Sequence, residues 1–154
     1  MLTCGVINMY KVDIIKIAEE MGFKIYTQAS NKRQKNVLGY IACGDKKIIV
    51  LQNSCNYNSF KDYIYNNHYL ISLALSYYNN AIEKEKFYKI IYDNIHDIDI
   101  ETEAINMILP TKKLKKAICR YKNDVEKISN LFEVPKYIVE EKIEHQKKLT
   151  KTNL

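Results

Sequence analysis

The sequence predicts an α+β fold, mainly helical with a small antiparallel sheet, and three observations predict it. Val37 to Cys43 and Lys47 to Leu51 are apolar, β-branched runs around Gly44-Asp45, the pattern of a β-hairpin. Segments of helical periodicity lie on both sides of that pair. Only 4 Gly and 2 Pro occur in 154 residues, which leaves little room for an all-β fold built on many tight turns.

Taken in order, residues 10–22 carry Val12, Ile15, Ile17, Ala18 and Met21 on one face and Gly22 as a stop, which predicts a first helix. Phe23, Ile25 and Tyr26 then suggest a short strand. Gln28 to Lys35 has no periodicity and reads as a loop, as does Asn53 to Asn58 after the hairpin. Ser59 can cap a long helix from Phe60 to about Asn79. Its apolar face is so broad, from Phe60 and Tyr63 to Tyr77 and Tyr78, that the helix should be central and largely buried. Phe87, Ile90 and Ile91 suggest a further helix over 83–94. Asp97 to Asp99 can start the next, about Ile100 to Leu109, which ends before Pro110. A short helix follows over 111–122, then a helix pair, Asp124–Leu131 and Pro135 to about Lys148, joined by Phe132-Glu133-Val134. No internal repeat or long linker divides the chain. We expect one domain over 1–149 and a frayed tail over 150–154.

The net charge of +6 is concentrated. Residues 1–110 carry 12 basic and 12 acidic side chains, and residues 123–154 carry 6 of each. The excess lies in 111–122: Lys112, Lys113, Lys115, Lys116, Arg120 and Lys122, with no acid among them. Leu114, Ala117, Ile118 and Tyr121 supply the opposite, apolar face. Such a face is either a solvated surface in a lysine-rich chain or a patch for an acidic protein or nucleic acid.

No apolar stretch approaches the roughly 18–20 residues that span a bilayer, and Met1 to Tyr10 lacks the pattern of a secretory signal. Cysteines at 4, 43, 55 and 119 form no CxxC pair. A cytoplasmic location is the expectation. There is no Gly-rich phosphate loop and no GxSxG elbow. A zinc hydrolase places two histidines one helical turn apart with a carboxylate beside them, as in HExxH. The nearest window is His68-Tyr69-Leu70-Ile71-Ser72, which keeps one histidine and lacks the carboxylate. His68 by itself reads as a hydrogen-bonded structural histidine. Glu101 and Glu103 suit the start of a helix electrostatically, which accounts for them without a ligand role. The last helix pair has helix-turn-helix character, but Glu140, Glu141 and Glu144 would repel phosphate, so an ordinary helix hairpin is expected.

Asp99-Ile100-Glu101-Thr102-Glu103-Ala104-Ile105-Asn106-Met107-Ile108-Leu109-Pro110 resembles the E-x-E-A-N and L-[LM]-P motifs of the ImmA/IrrE family of zinc-metallopeptidase-like proteins. Val125 to Ile143, with Phe132, Val134 and Val139, is similar to that family's closing segment. Ile14 to Gly22 and Gly39 to Asn53 resemble its opening helix and its hairpin. The resemblance implies a gluzincin-like core, peptide-bond hydrolysis, and roles in inactivating repressors of mobile elements and in stress control. Aligned on it, His68 matches the first zinc histidine, Tyr69 stands for the catalytic glutamate and Ser72 for the second histidine. Glu101 or Glu103 stands where the third ligand would be. Such a set lacks the three protein ligands and the base that zinc hydrolysis requires. The expectation is therefore a degenerate former metal site (His68, Tyr69, Ser72, Glu101 and Glu103), no catalytic residue and no bound zinc. The implied role is an inactive, bacterial regulatory protein that binds a partner protein, a transcriptional regulator of a prophage or other mobile element. The basic helix is the candidate contact surface. The alternatives are a nucleic-acid-binding module using 111–122 and a zinc peptidase with a non-standard site.

Overall fold

The computed structural model describes residues 8–29, 36–53 and 58–152. The elements in chain order are α1 (Ile14–Glu20), β1 (Phe23–Ala29), β2 (Val37–Ala42), β3 (Lys47–Asn53), α2 (Phe60–Asn79), β4 (Tyr88–Tyr92), α3 (Ile98–Ile108), α4 (Thr111–Tyr121), α5 (Val125–Phe132) and α6 (Lys136–Thr152). The α+β plan holds, with six α-helices beside one four-stranded sheet among the described residues.

Acidic and hydroxyl side chains begin α1, α2, α3 and α5. Asp13 Oδ1 accepts from the Lys16 amide at 3.1 Å, and Ser59 Oγ from the Asp62 amide at 3.1 Å. Asp97 Oδ1 accepts from the Asp99 and Ile100 amides, and Asp124 Oδ1 from the Lys127 amide. Each cap satisfies an amide that the first turn leaves without a partner. In the seven-residue α1 the buried stripe is Ile14 and Ala18, one turn apart. Ile15 and Ile17, expected on the apolar face, are exposed, because so short a helix can turn only one stripe inward. Gly22, at φ +95°, ends this unit as expected.

The sheet order is β1-β3-β2-β4. The expected hairpin is present, with Gly39 opposite Leu51 and Ala42 opposite Ile48. Two expectations are corrected. The sheet is mixed rather than antiparallel, because β1 runs parallel to β3, pairing Phe23 with Lys47 through Ala29 with Asn53. Residues 83–94 are not a helix: a single 3₁₀ turn over Lys84–Lys86 leads into β4, antiparallel to β2. The spacing of Phe87, Ile90 and Ile91 fits a helix, but aromatic and β-branched residues at 88–92 fill the strand that β2 needs at its free edge. At Gly39 an added Cβ would sit 2.4 Å from the Val50 carbonyl oxygen, so β2 and β3 approach there as only glycine allows.

The α2 helix is the axis of the core, buried at Tyr65, Asn67, His68 and every position from Leu70 to Ser76. Its start is less buried than its pattern suggests, and Phe60 is 76% exposed. Phe23, Ile41, Ile49, Leu51 and Ile91 belong to the same apolar core. So do Ile100, Ala104 and Ile108 of α3, Leu114 and Ala117 of α4, and Ile128, Phe132, Val134, Val139 and Ile143 of the last two helices and their turn. The helix pair is a hairpin closing that core. Its turn residue, Glu133, takes the left-handed conformation (φ 56°, ψ 49°) where glycine is usual. α6 runs on to Thr152, past the expected end near Lys148, and residues 153 and 154 lie outside the described residues. Among the described residues no helix is long and apolar enough to cross a membrane.

Candidate functional site

A cavity of about 650 Å³ opens between α2, α3 and α6, beside the end of β4. α2 supplies Tyr69, Leu70 and Leu73. α3 supplies Ile98, Glu101, Ile105 and Asn106. α6 supplies Tyr137, Ile138, Glu141, Lys142 and His145, and Tyr92, Asp93, Ile95 and His96 also line it. The α6 contribution follows from its period: Tyr137, Glu141 and His145 recur every four residues and so share one face.

Two residues of the sequence-derived set reach this cleft. Tyr69 lies half-buried on one wall. Its phenol is held protonated well above the usual tyrosine range, first by burial and then by the charges of Glu101 and Glu141. Glu101 lies on the facing helix, and its Oε1 is 2.8 Å from His96 Nδ1. That carboxylate raises the His96 imidazole above its ordinary pKa by hydrogen bond and by charge.

The other three sit elsewhere. His68 is buried, with Nδ1 donating to the Glu133 carbonyl oxygen at 2.9 Å and its ring stacked on Tyr65. Ser72 is fully buried and returns its hydroxyl to the Tyr69 carbonyl oxygen at 2.7 Å. Glu103 meets α2 at Ser76, accepting from Ser76 Oγ at 3.0 Å and from Asn80 Nδ2 at 2.5 Å. Ser76 is two turns beyond His68, about 12 Å along the helix axis. His68 and Glu103 are therefore anchored to different parts of the molecule. Among the described residues no three His, Cys, Asp or Glu side chains form a metal-holding group.

Lys142 lies at the floor. It is 8% exposed, and its Nζ donates to Asn106 Oδ1 at 2.7 Å and to the Leu109 carbonyl oxygen, closing the C-terminal end of α3. Burial pushes its ammonium down to about 8. Sequence reasoning missed Lys142, His96, Tyr137, Glu141 and His145. The four-residue spacing on α6 was readable, but the helix that would face it was not.

The basic residues of α4 lie away from the cleft. Lys112, Lys115, Lys116, Arg120 and Lys122 are exposed and Lys113 is partly so, while Leu114 and Ala117 are buried beneath. Arg120 and Lys127 lie over the Tyr121 ring, 5.6 and 5.4 Å from its centre. Cys43 and Cys119 are free thiols, and positions 4 and 55 lie outside the described residues. Comparison with family models, curated proteins and solved structures finds no match to this chain.

Proposed function

We propose that this chain is a catalytically inactive, metallopeptidase-like regulatory protein of the ImmA/IrrE type, with a gluzincin-like core, that acts by holding a segment of a partner protein. The supporting observation is the cleft itself. It is walled by apolar and aromatic side chains of three helices, it opens beside an edge strand, and it has the size of a ligand-binding site. The residues that resemble metal ligands serve other contacts: His68 bonds to a backbone carbonyl and Glu103 to α2. A groove can keep its affinity for peptide when its hydrolytic groups are replaced, because binding rests on apolar walls and backbone pairing. A transcriptional regulator of a mobile element is the partner class that the family resemblance implies.

Elemental analysis of protein purified without chelator tests this reading, with His68→Ala as control. One zinc per chain, lost in the control, would overturn it in favour of the hydrolase reading, and cleavage of a repressor would be the next assay. Absence of stoichiometric zinc, together with capture of peptide in the cleft, is the expected result.

A second reading is favoured by one observation, the exposed basic face of α4. It makes the chain a nucleic-acid-binding module. That reading requires affinity for duplex DNA that falls steeply with salt, whereas a segment held in an apolar cleft should be much less salt-sensitive.

A further inference from the structure

The charge of the cleft is opposite to that of the chain. The protein carries +6, yet among the described residues that line the cleft the carboxylates are Asp93, Glu101 and Glu141, and the only lysine or arginine is Lys142. That lysine is turned to the Leu109 carbonyl and Asn106. Asp93 and Glu141 make no ion pair among the described residues, and Glu101 has only His96, an imidazole 70% exposed. Glu101 on α3 and Glu141 on α6 thus bring carboxylates from two different helices to the one cavity that Tyr69 also lines. The aromatic rings of Tyr69 and Tyr137 and the side chains of Ile98 and Ile105 line the same cavity. Aromatic faces and paired carboxylates are the surroundings that a guanidinium or an ammonium on an apolar stem prefers.

We propose that the cleft is specific for a segment whose anchor is a basic side chain, arginine or lysine, flanked by apolar residues. Glu101 and Glu141 serve as its counter-ions, and Tyr69 and Tyr137 flank its stem. This rests on the reading of the cleft as a partner-binding groove. The cleft's negative charge selects the anchor, and its apolar walls take the neighbouring side chains. A segment anchored by an acidic residue would meet the same carboxylates as repulsion.

The test uses the full chain, isotope-labelled for NMR, and three blocked heptapeptides. Each has leucines flanking one central residue, which is arginine, norleucine or glutamate. The arginine peptide should shift the amide resonances of α3 and α6 beside the cleft. It should bind about tenfold more tightly than the norleucine peptide, the value of a charge-assisted hydrogen bond. Glu141→Gln should remove most of that advantage. Glu140→Gln, on the exposed side of the same helix, should leave it intact. Equal binding of the arginine and norleucine peptides at the cleft overturns the basic anchor and leaves the groove reading standing. Preference for the glutamate peptide does the same, and would point to Lys142. Failure of all three peptides to perturb the cleft overturns both.

Discussion

His68 Nδ1 lies 2.9 Å from the carbonyl oxygen of Glu133, so the middle of α2 is fastened to the left-handed turn between α5 and α6. A carbonyl can only accept, so the imidazole carries its proton on Nδ1. The bond joins residues 65 apart in sequence and closes the helical half of the molecule onto its central helix.

Removing that donor should be costly. His68→Ala is expected to lower unfolding free energy by about 2–4 kcal/mol, through a lost hydrogen bond and a cavity in the core. His68→Phe keeps most of the volume and should lose about 1–2 kcal/mol, the share of the bond. Urea denaturation of both variants separates the two terms. Equal stability of His68→Phe and wild type would deny the bond any structural weight.

Glu133 should respond in the opposite direction. A non-glycine residue at φ 56° carries backbone strain of about 1 kcal/mol. Its carboxylate offsets a few tenths of a kcal/mol through the 3.2 Å contact with Lys11. Glu133→Gly should therefore raise stability by about 0.5–1 kcal/mol. Glu133→Ala, which drops the ion pair and keeps the strain, should not. A melting temperature lowered by the glycine would show that the turn tolerates its conformation without strain.

Gly39 allows no side chain. Gly39→Ala forces a methyl against the Val50 carbonyl and should cost about 2–3 kcal/mol, or separate β2 from β3 locally. Faster amide exchange at Tyr40 and Val50, which face each other, would report the separation.

Lys142 makes stability depend on alkaline pH. Its pKa is about 8 when folded and near the ordinary lysine value of 10.5 when unfolded, so the unfolded chain binds more protons between those values. The destabilising contribution is complete below pH 8 and fades as pH rises towards 10.5. Lys142→Met should abolish that component. The measurement is the difference between wild type and variant across pH 7–10.5, which cancels the other lysines and the tyrosines. A flat difference would mean that the amine is well hydrated in the folded state.

The basic face of α4 should be dispensable for folding. Lys112, Lys113, Lys115 and Lys116 stand in the first two turns, where positive charge opposes the helix dipole. Replacing all four by glutamate should leave stability unchanged or raise it by about 1 kcal/mol. Binding of an acidic partner at this face should fall. Unchanged affinity for the partner would remove α4 from the interface.

Much of the fold was legible because local chemistry decided it. Ser59 and Asp97 begin their helices as capping residues do, and the runs at 37–43 and 47–51 pair across Gly44-Asp45. Leu114 and Ala117 are buried under a charged face. What escaped was non-local. Side-chain alternation is the same in parallel and antiparallel strands, so nothing in Phe23 to Ala29 announces that β1 pairs with β3 in parallel. Residues 88–92 become a strand because Tyr40 and Ile41 offer an open edge, a tertiary fact that overrides the helical spacing around them. The cleft was half legible. Tyr69 and Glu101 were singled out and line it, but His68, Ser72 and Glu103 find partners inside the scaffold. Glu141 was read only as a charge that repels phosphate, since Tyr69 and Glu101, which line the cleft with it, come from chain 72 and 40 residues earlier.

The parallel seam between β1 and β3 also bears on how the chain is made. β1 emerges early in synthesis, yet its partner is complete only when Asn53 has appeared, and β2 occupies the opposite side of that partner. The hairpin joins β2 to that strand across a short turn, whereas β1 reaches it only by closing a much longer stretch of chain. β2 in turn keeps an open edge until Tyr92 is out. The sheet thus joins one contact that is local in sequence to two that are distant, and the loop-closure entropy of its assembly falls on its two edges.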